Sequence, residues 1–230
     1  VDIGVSSIIQ HEHGIEAMVN TPKGQTLLQV GLIGRFNLSN LLATLAVLLL
    51  HKVDLSSAMF VINKLTTVCG RMQLISGNQD SKNMPQAIVD YAHTPDALEQ
   101  ALMAAKEHVA RGQLWVVFGC GGGRDVGKRP KMASIAEEWA DHVVVTDDNP
   151  RTESSEKILA DIVKGFKRRE KVVVEGDRSL AIALTMRRAK PGDIVLIAGK
   201  GHETYQDIQG HKHHFSDHEQ VLTALAGGLD

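Results

Sequence analysis

Residues 114–125 read LWVVFGCGGGRD, an entirely apolar run that leads directly into a glycine-rich loop. An apolar run without alternation is typical of a strand whose two faces are both covered by helices in a parallel sheet. Similar runs recur roughly every 25 to 30 residues, which is the spacing of βαβ units. The predicted strands are 87–90, 114–118, 142–146, 171–175 and 193–198. This pattern predicts a doubly wound α/β domain with a mainly parallel sheet.

Two helices of this domain carry start signals. Thr94, Pro95 and Asp96 place a capping residue, a first-turn proline and a first-turn acid ahead of a helix that extends to about residue 111. Ser216 and Glu219 form a capping box for the last helix. Helices at these positions fit the alternation of strands and helices that the α/β prediction requires.

The first 69 residues follow a different pattern. Alternating apolar residues predict strands over 15–19 and 25–32, separated by a Pro-Lys-Gly turn. Helices are predicted from Asn37, as N-cap, to about residue 51 and from Asp54 to about residue 65. At residues 69–81 the apolar pattern ends, and glycine, serine, asparagine and charged residues take its place. We therefore predict two domains, 1–69 and 70–230.

Composition narrows the class of protein. With 25 basic and 27 acidic side chains, the net charge of −2 provides no global positive field for a nucleic acid or an anionic membrane. The two cysteines form no CxxC pair, which favours a reducing compartment such as the cytoplasm. The longest apolar run, 41–50, is too short to cross a bilayer, and no signal peptide is recognisable. We expect a monomeric cytoplasmic protein, and the initial Val1 suggests a piece of a longer chain.

Unusual loops follow the predicted strands. They are DYAHTPD at 90–96, GCGGGRD at 119–125, GKRP at 127–130, DDNPR at 147–151 and GKGHE at 199–203. In an open parallel sheet, ligands bind beyond the carboxyl ends of the strands. We therefore expect these loops to meet at one edge of the sheet and to form a site there.

The glycine loop has two interpretations. Its backbone N–H groups could bind phosphate, with Lys128 and Arg129 adding positive charge. The alternative is a tight turn in which glycine is needed for positive φ. The chain contains no GxxxxGK[ST] motif, so this is not the usual phosphate loop of ATPases.

The segment 148–151 also has two interpretations. An arginine fork at Arg151 binds a carboxylate through two hydrogen bonds, while Asp148 and the Asn149 amide could hold an ammonium. The alternative is an ordinary Asn-Pro turn. Gly199 would let a ligand approach the backbone, or simply form a turn, and Glu203 offers an anionic partner for an amine.

Histidines provide two further candidates. His93 could act as an acid, a base or a nucleotide contact, although a hydrogen-bonded structural role is the alternative. Four histidines near the end of the chain suggest a metal site, but their spacing matches no recognised ligand pattern. They are His211, His213, His214 and His218. We predict a polar hairpin surface there and no metal site.

Taken together, these motifs resemble the Mur ligase family over essentially the whole chain. The strings, in order, are GRFNLSN, GRM, DYAHTPDAL, GCGGGRDVGKRP, TDDNPR and AGKGHE. The resemblance implies that residues 70–230 form a complete Rossmann-like C-terminal amino-acid-binding domain. It also implies that residues 1–69 are the end of a central ATPase domain. The family's UDP-binding domain and ATP-binding P-loop have no counterpart in this sequence.

The resemblance implies a reaction as well. It is the ATP-dependent addition of meso-diaminopimelate to UDP-MurNAc-L-Ala-D-Glu through an acyl phosphate, with Mg²⁺ carrying the phosphates, in peptidoglycan precursor synthesis. We expect this chain alone to form no product, and no residue is assigned as the base for the amine. Two alternatives stay open: a ligase like folylpolyglutamate synthetase, and a non-catalytic amino-acid-binding module.

The resemblance finally implies site residues. Those implied for ATP are Asn37, Asn40, Arg71, Asp90 and His93. Those implied for diaminopimelate are Arg124, Asp148, Asn149, Pro150, Arg151, Gly199 and Glu203. The family usually has an acid where this chain has Gly123, so a contact made by that acid has no counterpart here.

Overall fold

The structure is a computed structural model that describes residues 2–11, 13–75 and 84–227. The strands are β1 (Gly4–His11), β2 (Gly14–Thr21), β3 (Gly24–Val30), β4 (Gln73–Ile75), β5 (Gln86–Asp90), β6 (Leu114–Phe118), β7 (His142–Val145), β8 (Val172–Val174), β9 (Ile194–Ala198), β10 (Tyr205–Ile208) and β11 (His211–His214). The helices are α1 (Arg35–Leu50), α2 (Leu55–Ile62), α3 (Pro95–His108), α4 (Lys128–Trp139), α5 (Ser155–Val163), α6 (Arg178–Arg188) and α7 (Asp217–Leu225).

A six-stranded sheet forms the larger part of the molecule, in the order β4-β5-β9-β6-β7-β8. The strands β5, β6, β7, β8 and β9 run parallel to one another, which confirms the predicted α/β fold and all five predicted strands. The edge strand β4 runs antiparallel to β5 and was not predicted. It has only three residues, too few to show a pattern.

The unalternated strands are explained by two apolar cores, one on each face of the sheet. Val116 and Leu196 are buried in the core that contains α3, α4 and α5. The next residues, Val117 and Ile197, are buried in the core that contains α6 and α7. Because helices cover both faces, consecutive strand residues are all apolar.

The predicted N-caps Thr94 and Ser216 are confirmed, but the predicted capping box is only half formed, because the Glu219 carboxylate contacts His214 instead. The Thr94 side chain accepts a hydrogen bond from the backbone N–H of Ala97 at the start of α3. The Ser216 hydroxyl accepts one from the N–H of Glu219 at the start of α7. These caps satisfy N–H groups that have no partner within their helices.

The first part of the chain folds as an antiparallel sheet, β1-β2-β3, against α1 and α2. Strand β1, most of which is exposed, was not predicted. The prediction that α1 begins with Asn37 as its N-cap is wrong, because Gly34 takes that position at φ 91°. The Asn37 amide instead donates to the carbonyl of Ile33, 2.9 Å away. Asp54 caps α2 as predicted.

The two parts of the chain have separate apolar cores but share a polar contact. The core of the first part runs from Ile15 to Ile62 and includes no residue of the six-stranded sheet among those described. Buried His108, at the end of α3, lies 2.7 Å through Nδ1 from the carbonyl oxygen of His11. Its Nε2 accepts from the N–H of Gly34 at 3.1 Å. The division at residues 69/70 stays a prediction, and residues 76–81 of the predicted break lie outside the described residues.

Candidate functional site

The loops after β5, β6, β7 and β9 converge on a cavity of about 560 Å³. Its lining combines acidic, basic and aromatic groups from all of these loops. The lining residues are Tyr91, His93, Thr94, Pro95, Gly121, Arg124, Asp125, Lys128, Lys131, Asp148, Asn149, Arg151, Gly199 and Glu203. The structure thus brings the loops together at one edge of the sheet, as expected from the parallel strand order.

The glycine loop packs tightly against the loop after β7. A Cβ on Gly119 would lie 2.3 Å from the carbonyl oxygen of Thr146, and one on Gly122 would lie 1.9 Å from that of Pro150. Only glycine permits this approach. These contacts favour the turn interpretation of the loop, since they account for Gly119 and Gly122 without a ligand.

The structure contradicts the expectation that Arg129 adds charge for a phosphate. The Arg129 side chain is fully buried, and its guanidinium bonds to Glu153 at 2.7 Å and Asp161 at 3.0 Å. The hydrogen bond from Arg129 lowers the pKa of Glu153 to about 2. Lys128 lines the cavity and donates from Nζ to the carbonyl of His93 at 2.8 Å. Arg129 therefore holds α4 and α5 together instead of facing a ligand.

Arg151 is held by the hairpin formed by β10 and β11. Its backbone is left-handed, with φ 54°. Its N–H donates to the carbonyl of Asp207 at 2.8 Å, and its carbonyl accepts from the N–H of Gln209 at 2.7 Å. Its Nη1 donates to the carbonyl of Gly122 at 2.8 Å. The guanidinium is thus positioned at the cavity wall from two sides.

Asp148, Asn149 and Glu203 meet around the ammonium of Lys200, whose side chain has no exposed surface. Asn149 Nδ2 donates to Glu203 Oε2 at 2.9 Å. Its Oδ1 accepts from Lys200 Nζ at 3.1 Å and from the N–H of Asp207 at 2.9 Å. That oxygen already accepts from two donors, so the structure does not leave it open for the ligand ammonium expected of Asn149. Asp148 Oδ1 is buried and lacks a hydrogen-bond partner in the described part of the chain.

Sequence reasoning missed the role of Lys200, although the residue stands within the quoted string AGKGHE. A lysine between two glycines gave no sign that it would be buried.

Sequence reasoning also missed Arg178, which is buried and forms two hydrogen bonds with the Asp217 carboxylate, at 2.7 and 2.8 Å. Arg178 further donates to the carbonyls of Asp147 and Ala198. It thereby ties the ends of β7 and β9 together beneath the cavity.

The remaining residues implied for diaminopimelate take different positions. Arg124 is exposed at the cavity wall. Gly199 lines the cavity at φ 124°, where a Cβ would lie 3.6 Å from Asp148 Oδ2. Pro150 is buried and is not a lining residue. Its carbonyl packs against Gly122 instead.

Three of the residues implied for ATP, Arg71, Asp90 and His93, lie around Tyr91, whereas the other two lie on α1. His93 lines the cavity, and its Nδ1 lies 2.8 Å from the carbonyl oxygen of Tyr91. The guanidinium of Arg71 lies 4.7 Å from the centre of the Tyr91 ring. Asp90 is not a lining residue and accepts from the N–H of Met72 at 2.7 Å, while burial raises its pKa. The two asparagines implied for adenine, on α1, do not line the cavity.

The part of the chain that the structure describes contains no set of side chains arranged as metal ligands. Across residues 2–11, 13–75 and 84–227, no group of three or more His, Cys, Asp or Glu side chains is placed to hold an ion. His211, His213 and His214 lie on exposed β11, which confirms the predicted hairpin. In the same ranges no helix has the length and apolar character needed to cross a membrane.

Comparisons with known proteins agree on one family. Residues 70–201 match the glutamate ligase domain of Mur ligases. The chain is 49% identical over 229 residues to the UDP-N-acetylmuramoyl-L-alanyl-D-glutamate–2,6-diaminopimelate ligase of Coxiella burnetii, covering 97% of this chain and 46% of that protein. The corresponding ligase of Pseudomonas aeruginosa is 52% identical over 213 residues, covering 93% and 43%. The chain spans about half the length of these curated relatives.

Solved structures show the same relationship. A structure of a UDP-N-acetylmuramoyl-L-alanyl-D-glutamate–2,6-diaminopimelate ligase aligns with a TM-score of 0.79 and 40% identity, covering 99% of this chain and 46% of that one. A folylpolyglutamate synthase from Thermotoga maritima aligns with a TM-score of 0.64 and 22% identity, covering 86% and 42%. The second similarity shows a shared fold alone.

Proposed function

This chain belongs to the Mur ligase family, and from that premise we propose that it is part of an ATP-dependent ligase that adds meso-diaminopimelate to UDP-MurNAc-L-Ala-D-Glu. The cavity would bind diaminopimelate. The observation that carries the proposal is the lining, which brings guanidinium groups and carboxylates together around one ligand-sized space. We place the protein in the cytoplasm as a monomer that binds neither nucleic acid nor membrane, in agreement with its net charge of −2.

The charges of the cavity suit an amino acid with two zwitterionic ends. Diaminopimelate differs from lysine by a carboxylate at the far end of its side chain. Arg151 offers a planar fork to that carboxylate, and Arg124 offers a second cation. Asp148 and Glu203 offer acceptor oxygens to an ammonium. A residue set that recognised lysine alone would not need the fork.

ATP would supply the activation of the D-glutamate carboxylate, with Mg²⁺ neutralising its phosphates. This chain contains no GxxxxGK[ST] motif, and its described residues offer no metal group, so we assign phosphate and Mg²⁺ to none of its side chains. Arg71, beside Tyr91, and His93 at the cavity wall are our candidates for the nucleotide side of the site. The contribution of this chain is to bind the amino acid and hold its amine in a fixed orientation.

Calorimetric titration of this chain with meso-diaminopimelate, L-lysine and L-glutamate tests the proposal. We expect diaminopimelate to bind at least tenfold more tightly than lysine, because only it pairs the arginine fork. Preferred binding of glutamate would favour a ligase like folylpolyglutamate synthetase. Absence of binding to any of the three would overturn the assignment of the cavity.

A second measurement separates a ligase from a non-catalytic binding module. The full-length protein that contains this chain should form the tripeptide product when ATP, Mg²⁺, UDP-MurNAc-dipeptide and diaminopimelate are supplied, as detected by mass spectrometry. Diaminopimelate binding without product formation by that protein would favour the binding module.

A further inference from the structure

Lys200 is a fully buried ammonium at the centre of the proposed amino-acid site. Its Nζ lies 3.1 Å from Asn149 Oδ1, 3.2 Å from Glu203 Oε2 and 3.6 Å from Asp148 Oδ1. Burying an ammonium is costly unless it is paired and hydrogen-bonded. All three partners line the cavity, whereas Lys200 is not a lining residue. Its contacts therefore act on a ligand only through these partners.

The first effect of Lys200 is on the orientation of the Asn149 amide. Lys200 Nζ and the N–H of Asp207 are both donors, and both point at Asn149 Oδ1. A flipped amide would set its NH₂ group against two donors and its oxygen against the Glu203 carboxylate. The amide is thus fixed with its NH₂ group toward Glu203, where it acts as a donor.

The second effect is on charge. Asp148 and Glu203 place two carboxylates beside the same ammonium. One positive charge from Lys200 leaves a single net negative charge for the group, which one ligand ammonium balances. Without Lys200 the two carboxylates would repel each other and any nearby ligand carboxylate, while a more cationic ligand would be favoured.

We propose that Lys200 is a positioning residue that makes the cavity prefer a zwitterionic amino-acid end over a simple ammonium. It does so by fixing the Asn149 amide and by offsetting one of the two acidic charges. This inference rests on the proposed function. Lys200 does not itself contact the ligand.

Titration of Lys200→Met with meso-diaminopimelate and L-lysine tests this role. We expect the affinity for diaminopimelate to fall at least thirtyfold, whereas that for lysine changes less than threefold or rises. The matched control is Lys212→Met on exposed β11, where Nζ lies 4.1 Å from the centre of the Tyr205 ring. The control removes the same charge near the site without a buried contact, and should leave the affinity ratio unchanged.

A purely structural role predicts a different result. With the fold intact by circular dichroism, equal losses for both amino acids would show that Lys200 only supports the cavity wall, and the proposal would be overturned. If the unmodified chain bound neither amino acid, the proposed function would fail instead. Thermal unfolding then tests the pairing of Lys200 by itself.

For that measurement, the melting temperature of Lys200→Met is compared with that of the double variant Lys200→Met/Glu203→Gln. Removing the ammonium alone leaves buried carboxylates without their counter-charge, and the second substitution relieves part of that cost. We expect the double variant to melt at a higher temperature than the single one. Equal or lower stability of the double variant would show that Lys200 does not balance the acidic pair.

Discussion

Arg151 combines a left-handed backbone, at φ 54°, with a side chain that lines the cavity. Such a backbone costs about 1 to 3 kcal/mol in a residue other than glycine. We predict that Arg151→Gly relieves this strain yet weakens diaminopimelate binding roughly thirtyfold or more, since losing one partner of a buried charged pair costs about 2 to 5 kcal/mol. The affinity for L-lysine should fall only slightly. Calorimetry on both amino acids, together with the melting temperature, checks this.

Arg151→Lys is the companion variant, because it keeps the charge and removes the fork. It should resemble the glycine variant in affinity, since a point charge cannot reproduce two parallel hydrogen bonds. Equal losses for diaminopimelate and lysine in either variant would show that Arg151 serves the fold, and the carboxylate assignment would have to be abandoned.

His108 makes the stability of the molecule depend on pH. Its Nε2 accepts from the N–H of Gly34 and so must be unprotonated, and burial lowers the pKa of His108. The unfolded chain therefore takes up the proton at a higher pH than the folded chain does. The stabilising contribution is complete above the ordinary pKa of about 6.5 and decreases as the pH falls below it, by at most about 1.4 kcal/mol per pH unit.

The measurement for His108 is the melting temperature at pH 7.5 and pH 5.5. We predict that the drop between these pH values is smaller in His108→Gln than in the unmodified chain. Neighbouring Glu107 and His11 are present in both proteins, so the comparison cancels their effects. The same drop in both proteins would mean that His108 is not the group that titrates.

At the scale of elements, the β10–β11 hairpin acts as a brace for the loop after β7. It lies outside the six-stranded sheet, and most of its residues are at least partly exposed. The N–H of Asp207 donates to Asn149 Oδ1, and Gln206 Nε2 donates to the carbonyl of Asp148. The hairpin thus holds the loop after β7 while adding little to the core.

We predict that Asp207→Pro weakens diaminopimelate binding at least tenfold, because proline lacks the N–H that holds Asn149. Asp207→Ala keeps that N–H and should change the affinity less than threefold. Titration of both variants, with melting temperatures to confirm folding, makes the comparison. Similar affinities for the two variants would show that the brace does not act through this hydrogen bond.

At the scale of the whole molecule, the two parts of the chain are joined largely through polar groups. Gln10 donates to Glu107 at 2.9 Å, and Arg35 pairs with Glu107 at 3.1 Å. Ile33 adds an apolar contact, since it is buried in the core beside α3. All residues that line the cavity follow residue 70. Among the described residues, this cavity therefore belongs to the second part alone.

We predict that residues 70–230, produced alone, fold and unfold in one cooperative transition at a lower temperature than the whole chain. The lost contact of Ile33 and the lost hydrogen bonds of His108 with Gly34 and His11 are the reasons for the lower temperature. The affinity of this piece for diaminopimelate should stay within threefold of that of the whole chain. Circular dichroism and calorimetry test both statements, and a piece that failed to fold would contradict the predicted domain boundary.

The parallel strands and their loops could be predicted because the signals are local. Unalternated runs such as 114–118, caps such as Thr94 and turns rich in glycine depend on neighbours in the chain. Because the strands were predicted to be parallel, the loops after them were expected to lie at the same edge of the sheet and to meet there. The residues that line the cavity were therefore within reach of sequence reasoning, including Arg151 and Glu203.

Contacts between distant residues decided the rest. Burial turned Arg129 into a link between helices and Lys200 into the centre of the site, although each is one charged residue among many in the sequence. Asn149 was recognised, but the direction of its amide depends on Asp207, 58 residues away. The apolar pattern and the capping residues depend on interactions between residues that are near one another in the sequence, so they can be recognised there. The pairing of buried charges is settled only when tertiary packing removes them from water.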